Sequence, residues 1–182
     1  MRTLFAQIPN LLSTLRGVCA PLFVWAALTE HWRVAFGLLV YAIVSDLIDG
    51  PIARKLDHAT GLGTRLDHTA DFAFAFLGLL ALSLHDENLV PLALPLLQLL
   101  AFGEYAYTGP QTHRSLIPSR LGRYNGILYF VVVATITTQL AFELDWVPIN
   151  WIYGFCWLLT ATTILSIAIR IITRFRKSRG TN

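Results

Sequence analysis

The stretch SDLIDGPIARKLDHATGLGTRLDHTAD, Ser45 to Asp71, decides the fold, because it sets five carboxylates between two apolar runs. On one side lies WRVAFGLLVYAIV, Trp32 to Val44, and on the other FAFAFLGLLALSL, Phe72 to Leu84. A loop on a soluble protein does not have such flanks. The carboxylates stand instead at the edge of a thick apolar layer, and the reading of the chain turns on what they hold there.

The rest of the sequence identifies the layer. With 182 residues, 55% hydrophobic, 14% charged and a mean hydropathy of +0.57, the chain carries more apolar surface than one soluble core of this length needs. A bilayer absorbs the excess. Runs of roughly 20 apolar residues cross a hydrocarbon core of about 30 Å as helices, and six are expected: Leu11 to Leu28, Trp32 to Ala53, Thr69 to Leu84, Val90 to Tyr107, Leu121 to Phe142 and Trp151 to Thr173. Strands are excluded because the runs are continuous and an open sheet cannot leave its backbone unpaired in lipid. The expected fold is therefore all-α and integral to the membrane, a single domain over residues 1–182. The first run is interrupted by Arg16 and lacks a small-residue cleavage site, so it reads as a retained span. Cys19 and Cys156 both fall inside apolar runs and read as small buried side chains.

Charge sets the orientation, since cytoplasmic loops carry the excess of lysine and arginine. Arg2, the second connection with Arg54, Lys55 and Arg65, the fourth with Arg114, Arg120 and Arg123, and the tail RIITRFRKSRG lie on one side. Across the membrane, Arg33 stands against Glu30, Asp86, Glu87, Glu143 and Asp145. Both termini and the opening stretch are expected to face the cytoplasm from a multi-pass protein of the cell (inner) membrane. The net charge of +3 then belongs to one membrane face, where anionic headgroups attract it, and no nucleic-acid partner is implied.

Asp46 and Asp49 are three apart, and Asp67 and Asp71 four apart, so each pair shares a helix face. Two helices joined by a short turn can aim these faces at each other. Carboxylates so gathered repel one another unless cations lie between them or some of them stay protonated through raised pKa values. Hard oxygen donors suit Mg²⁺ or Mn²⁺, with a diphosphate completing the shell, and two ions are a reasonable count.

Taken whole, the spacing is Asp46-x2-Asp49-Gly50-x2-Ala53-Arg54-x8-Gly63-x3-Asp67-x3-Asp71. At every specified position it resembles the signature of the CDP-alcohol phosphatidyltransferase family. Eight fixed residues arise by chance on the order of once in a billion starting points. The resemblance implies a six-helix homodimer with a cytoplasmic site that moves a phosphatidyl group from CDP-diacylglycerol to a small alcohol and releases CMP. It implies further that Asp46, Asp49 and Asp67 ligate a divalent metal pair and that Asp71 touches the second metal and acts as general base. Gly50 would let the nucleotide near the backbone, Arg54 would fork onto phosphate or ribose oxygens, and Ala53, Thr60 and Gly63 would complete the CDP-diacylglycerol contacts.

IPNLLSTLR, Ile8 to Arg16, is similar to the start of the first helix in members that make phosphatidylglycerophosphate or cardiolipin. There the Asn and hydroxyl positions help hold cytidine, which here points to Asn10 and to Ser13 or Thr14; Asn10 equally suits a helix cap. Glycerol 3-phosphate is the best acceptor on this likeness, with Arg114, Arg120 and Arg123 available to its phosphate. Those branches place Pro and Lys after the last two aspartates, whereas this chain has His68 and Phe72, so inositol phosphate, serine, choline and phosphatidylglycerol stay open. Glu104, inside the fourth run, is a candidate to steer the acceptor or to pair with Arg114 or Arg123, and equally to make a structural hydrogen bond between helices. Two rivals remain. An intramembrane prenyltransferase would spread its aspartates over two distant helices, and a divalent-cation transporter would carry its site near the midplane.

Overall fold

Six helices follow one another: α1 Ile8–Leu28, α2 Trp32–Lys55, α3 Gly61–His85, α4 Ala93–Thr108, α5 Arg120–Phe142 and α6 Ile149–Arg179. They are seen in a computed structural model that describes the backbone of residues 8–55, 61–108 and 120–179 and the side chains of residues 11–48, 67–104 and 121–173. The described residues are helical apart from short turns, so each expected run finds its helix. Four stretches, Leu11–Leu28, Asp67–His85, Leu121–Phe142 and Ile149–Thr173, are long and apolar enough to cross a membrane. Helix α4 is shorter, at 16 residues, and α2 carries Arg33 and Asp46 along its length.

The ends of the helices depart from the apolar runs in an instructive way. Helix α3 begins at Gly61 and not near Thr69, and α6 continues to Arg179 beyond Thr173. Hydropathy marks where lipid begins, whereas a helix runs on until its backbone is capped or broken, and arginine and lysine are good helix formers. Asp67 therefore stands inside α3 and not at its start. Helix α4 opens later than expected, at Ala93, because Pro91 disfavours helical backbone at Val90 before it.

Two helices close with the same motif. After α1, His31 N–H reaches Ala26 C=O at 2.8 Å and Glu30 N–H reaches Ala27 C=O at 3.2 Å, with Glu30 at φ 60°. After α5, Leu144 N–H reaches Gln139 C=O at 2.9 Å, with Glu143 at φ 53°. This six-to-one closure wants a left-handed residue, usually glycine, and a glutamate there bears a steric cost. Glu30→Gly or Glu143→Gly is expected to stabilise the protein by about 0.5–1 kcal/mol, the strain relieved less the extra backbone entropy of glycine, as a rise in the unfolding temperature in detergent.

Buried stripes organise the bundle. On α1, Ser13, Arg16, Ala20, Phe23 and Ala27 are buried and recur every three or four residues. Opposite them stand Ala35, Leu39, Ala42 and Ser45 of α2, and Ala70, Phe74, Leu79 and Leu82 of α3, and α1 packs chiefly on α3 and α2. Phe74 joins the layers, its ring 5.4 Å from Phe23 and 6.0 Å from Phe130 of α5. A Cβ at Gly78 would lie 3.2 Å from both methyl groups of Val133, so glycine there lets α3 and α5 approach closely. Toward the N-terminal ends of α1 and α3 and the C-terminal end of α2, the apolar stripes give way to Arg16 and carboxylates.

Candidate active site

Those three stripes meet at one point. Ser13 and Arg16 lie one turn apart on α1, Ser45 and Asp46 are neighbours on α2, and Asp67 and Asp71 are one turn apart on α3. Arg16 Nη1 donates to Asp67 Oδ1 at 3.2 Å and to Asp46 Oδ1 at 3.4 Å, and also contacts Asp71 Oδ1. Its Nε donates to Ser45 Oγ at 3.1 Å, and Ser45 Oγ in turn donates to Ala42 C=O at 2.9 Å. Ser13 Oγ donates to Asp67 Oδ1 at 3.1 Å.

Exposure decides what this arrangement costs. The Arg16 side chain is 0% exposed, while those of Asp46, Asp67 and Asp71 are 51%, 32% and 29% exposed. A buried guanidinium is tolerated only when paired and hydrogen-bonded, and here it is both. The carboxylates close one end of the buried α1 stripe and remain open on their far side, beside Asp46.

The cluster also fits a metal. One ligand atom each from Asp46, Asp67 and Asp71 lies within 4.8 Å of the other two. In an octahedral shell at about 2.1 Å from a magnesium ion, opposing oxygens stand about 4.2 Å apart, so modest side-chain rotation would bring these three onto a common ion once Arg16 Nη1 had moved aside. All are hard anionic donors, which is the chemistry Mg²⁺ and Mn²⁺ select.

Of the other residues singled out in the sequence, Asp49 follows Asp46 by one turn in α2, with Gly50, Ala53 and Arg54 beyond it, while Gly63 lies in α3 and Asn10 in α1. Their side chains fall outside the described residues, as does that of Arg120, and Thr60 and Arg114 lie outside them altogether. Ser13 is engaged with Asp67. Arg123 and His68 are exposed. Phe72 stacks on Phe102 of α4 with ring centroids 3.7 Å apart, so it ties α3 to α4.

Glu104 makes an interhelical contact, the structural alternative expected for a charged residue in this run. Its Oε2 pairs with Arg170 Nε of α6 at 3.1 Å, the side chains being 18% and 24% exposed. Sixty-six positions separate the partners, and both helices run through apolar sequence where a lone charge is expensive. Near this pair, Asn125 and Tyr129 of α5 meet Thr162 and Thr163 of α6. Thr163 Oγ1 donates to Leu159 C=O at 2.7 Å and accepts from Tyr129 Oη at 2.5 Å and Asn125 Nδ2 at 3.2 Å, while Thr162 Oγ1 donates to Asn125 Oδ1 at 3.2 Å. Thr163→Val removes the shared acceptor and is expected to cost about 1 kcal/mol, measured as a lower unfolding temperature in detergent.

Sequence reasoning passed over Arg16, Ser45 and Arg170 as functional or structural partners. Arg16 did carry a signal: it occupies the same register as Ala20, Phe23 and Ala27, so a charge there had to find partners inside the bundle.

Comparison with known proteins agrees with this geometry. The sequence profile of the CDP-alcohol phosphatidyltransferase family matches residues 6–168. A CDP-diacylglycerol–glycerol-3-phosphate 3-phosphatidyltransferase of Aquifex aeolicus is 37% identical over 87 residues, which is 47% of this chain and 49% of that protein. The chloroplastic enzyme of the same description from Oryza sativa is 27% identical over 187 residues, 91% of this chain and 56% of the relative. A CMP-forming cardiolipin synthase of Rattus norvegicus is 39% identical over 88 residues, 48% of this chain and 28% of its own length. The match thus spans from 28% to 56% of these relatives. Because the profile covers most of the chain, and the signature's described aspartates, Asp46, Asp67 and Asp71, converge in space, the protein belongs to the CDP-alcohol phosphatidyltransferase family.

Proposed function

We propose that the protein transfers a phosphatidyl group from CDP-diacylglycerol to the hydroxyl of a small alcohol and releases CMP. The observation that carries this reading is the convergence of Asp46, Asp67 and Asp71 within 4.8 Å at one end of apolar helices, where a lipid-linked diphosphate can meet a soluble acceptor. Asp46, Asp49, Asp67 and Asp71 would hold Mg²⁺ or Mn²⁺, two ions being the proposed count. A divalent ion held there neutralises the donor's diphosphate and eases departure of CMP.

The chain's own residues do the rest. An Asp71 oxygen takes the proton of the acceptor hydroxyl as that oxygen bonds to the phosphorus next to diacylglycerol. The bond from this phosphorus to the bridging oxygen breaks, and its electron pair leaves with CMP. Asn10, Ser13, Gly50, Ala53, Arg54, Thr60 and Gly63 line the nucleotide's path, with Arg54 suited to bidentate phosphate contact. Arg114, Arg120 and Arg123 serve the acceptor's phosphate.

Residues 1–182 form one membrane domain of six spans, with termini and site on the cytoplasmic face of the inner membrane, and two copies assemble as a homodimer. The lysine and arginine asymmetry supports the orientation. Glycerol 3-phosphate is the acceptor favoured, because relatives similar over 47% and 91% of this chain are named for it. An acceptor screen with purified protein, CDP-diacylglycerol and Mg²⁺ or Mn²⁺, read by product lipid mass, tests this. Phosphatidylglycerophosphate is the expected product, and a product formed only with serine, choline, inositol phosphate or phosphatidylglycerol would reassign the acceptor.

A further inference from the structure

Arg16 stands at the centre of the metal-binding carboxylates and not beside them. One nitrogen, Nη1, approaches Oδ1 of Asp46 at 3.4 Å and of Asp67 at 3.2 Å and contacts that of Asp71, yet it carries only two hydrogens. Three acceptors around two hydrogens is the geometry of a cation among anions more than of paired hydrogen bonds. The guanidinium is held there from behind, by Nε on Ser45 and by complete burial of the side chain.

A metal ion drawing the same three oxygens to about 2.1 Å would take the position of Nη1, and the two positive charges would repel at contact distance. Both cannot occupy the cluster. We propose that Arg16 is a built-in counter-ion that exchanges with the divalent metal: its head holds the three aspartates together in the metal-free protein and withdraws when the ion enters. The exchange rests on the metal reading of the cluster given above. It explains why a full positive charge is set into the apolar stripe of α1, where Ala20, Phe23 and Ala27 otherwise pack. It also explains how the carboxylates remain gathered before a metal arrives.

The direction of the effect separates this role from a merely structural one. A residue that only braces the site weakens metal binding when it is replaced. A competitor strengthens it. Mn²⁺ binding by the purified full-length protein in detergent, without nucleotide or lipid substrate, is followed by the loss of the free-ion electron paramagnetic resonance signal. Arg16→Gln, which keeps polar bulk and removes the charge, is expected to bind Mn²⁺ about tenfold or more tightly than the unaltered protein, as a neighbouring charge shifts occupancy of a carboxylate by that order. The same variant should unfold at a lower temperature without metal and gain more from added Mn²⁺. Asp67→Asn should abolish the tight binding in both backgrounds, which assigns the ion to this cluster.

Equal or weaker Mn²⁺ binding by a folded Arg16→Gln variant overturns the exchange and leaves the metal reading standing. Absence of Mn²⁺ binding by both the unaltered protein and a folded Arg16→Gln variant overturns both. If Arg16→Gln folds only when Mn²⁺ is supplied, the ion has replaced the counter-ion and the proposal holds. If it folds under neither condition, Arg16→Lys decides, because its shorter point charge competes less well: tighter Mn²⁺ binding supports the exchange, and unchanged binding refutes it.

Discussion

Asp71→Asn is expected to lower CMP release by about a thousandfold or more, the range lost when a positioned general base is removed. Asparagine keeps the shape of the side chain and can still accept from Arg16 Nη1, so the variant should fold with Asp46 and Asp67 still gathered around the guanidinium. What it cannot do is take the acceptor's proton. The loss should therefore fall mainly on kcat, because an interaction made only in the transition state has been removed. Asp71→Glu retains the base but moves its oxygens by one methylene, and misplacement on that scale costs about a hundredfold. Steady-state CMP release by the two variants, beside their unfolding temperatures, checks both claims. An asparagine variant within tenfold of the unaltered rate would remove Asp71 from the chemistry.

Glu104→Leu is expected to destabilise the protein by about 2–3 kcal/mol, below the 3–5 kcal/mol typical of a broken buried pair, since both side chains keep some exposure. The cost arises because Arg170 is left charged among apolar helices. At this chain length that is a fall of roughly 4–12 °C in unfolding temperature. Glu104→Leu with Arg170→Leu removes both charges and should recover most of the loss. Such recovery marks the pair as a strut between α4 and α6. If the double variant is as unstable as the single, and the acceptor KM rises with either, Glu104 serves the acceptor instead.

The helical, membrane-type architecture was legible in the sequence because apolar runs of this length have no other use. The aspartate spacing was legible because three- and four-residue steps put side chains on one helix face whatever the tertiary fold. Helix limits were not: Gly61–Leu66 and Arg174–Arg179 break the apolar pattern with glycines and cations, yet the helices run through both, and neither contains a proline. Nor were partners across the bundle. Glu104 and Arg170 lie on α4 and α6, and nothing local to either reveals that those helices touch. The placing of Arg16 was the most consequential omission. Its charge in the first span was visible, but which carboxylates it faced depended on how α1 packs against α2 and α3. His68 and Phe72 show the reverse, since both drew attention as departures at the site, and Phe72 proves to be a packing residue against Phe102.

The central claim is that the carboxylate cluster catalyses metal-dependent transfer to an alcohol. Its most direct test is the release of CMP from CDP-diacylglycerol by the purified protein, with Mn²⁺ or with chelator, and with or without glycerol 3-phosphate. The account predicts release only when metal and acceptor are both present, with one phosphatidylglycerophosphate formed per CMP. Release that proceeds equally in chelator, or at the same rate without any acceptor alcohol, would contradict it.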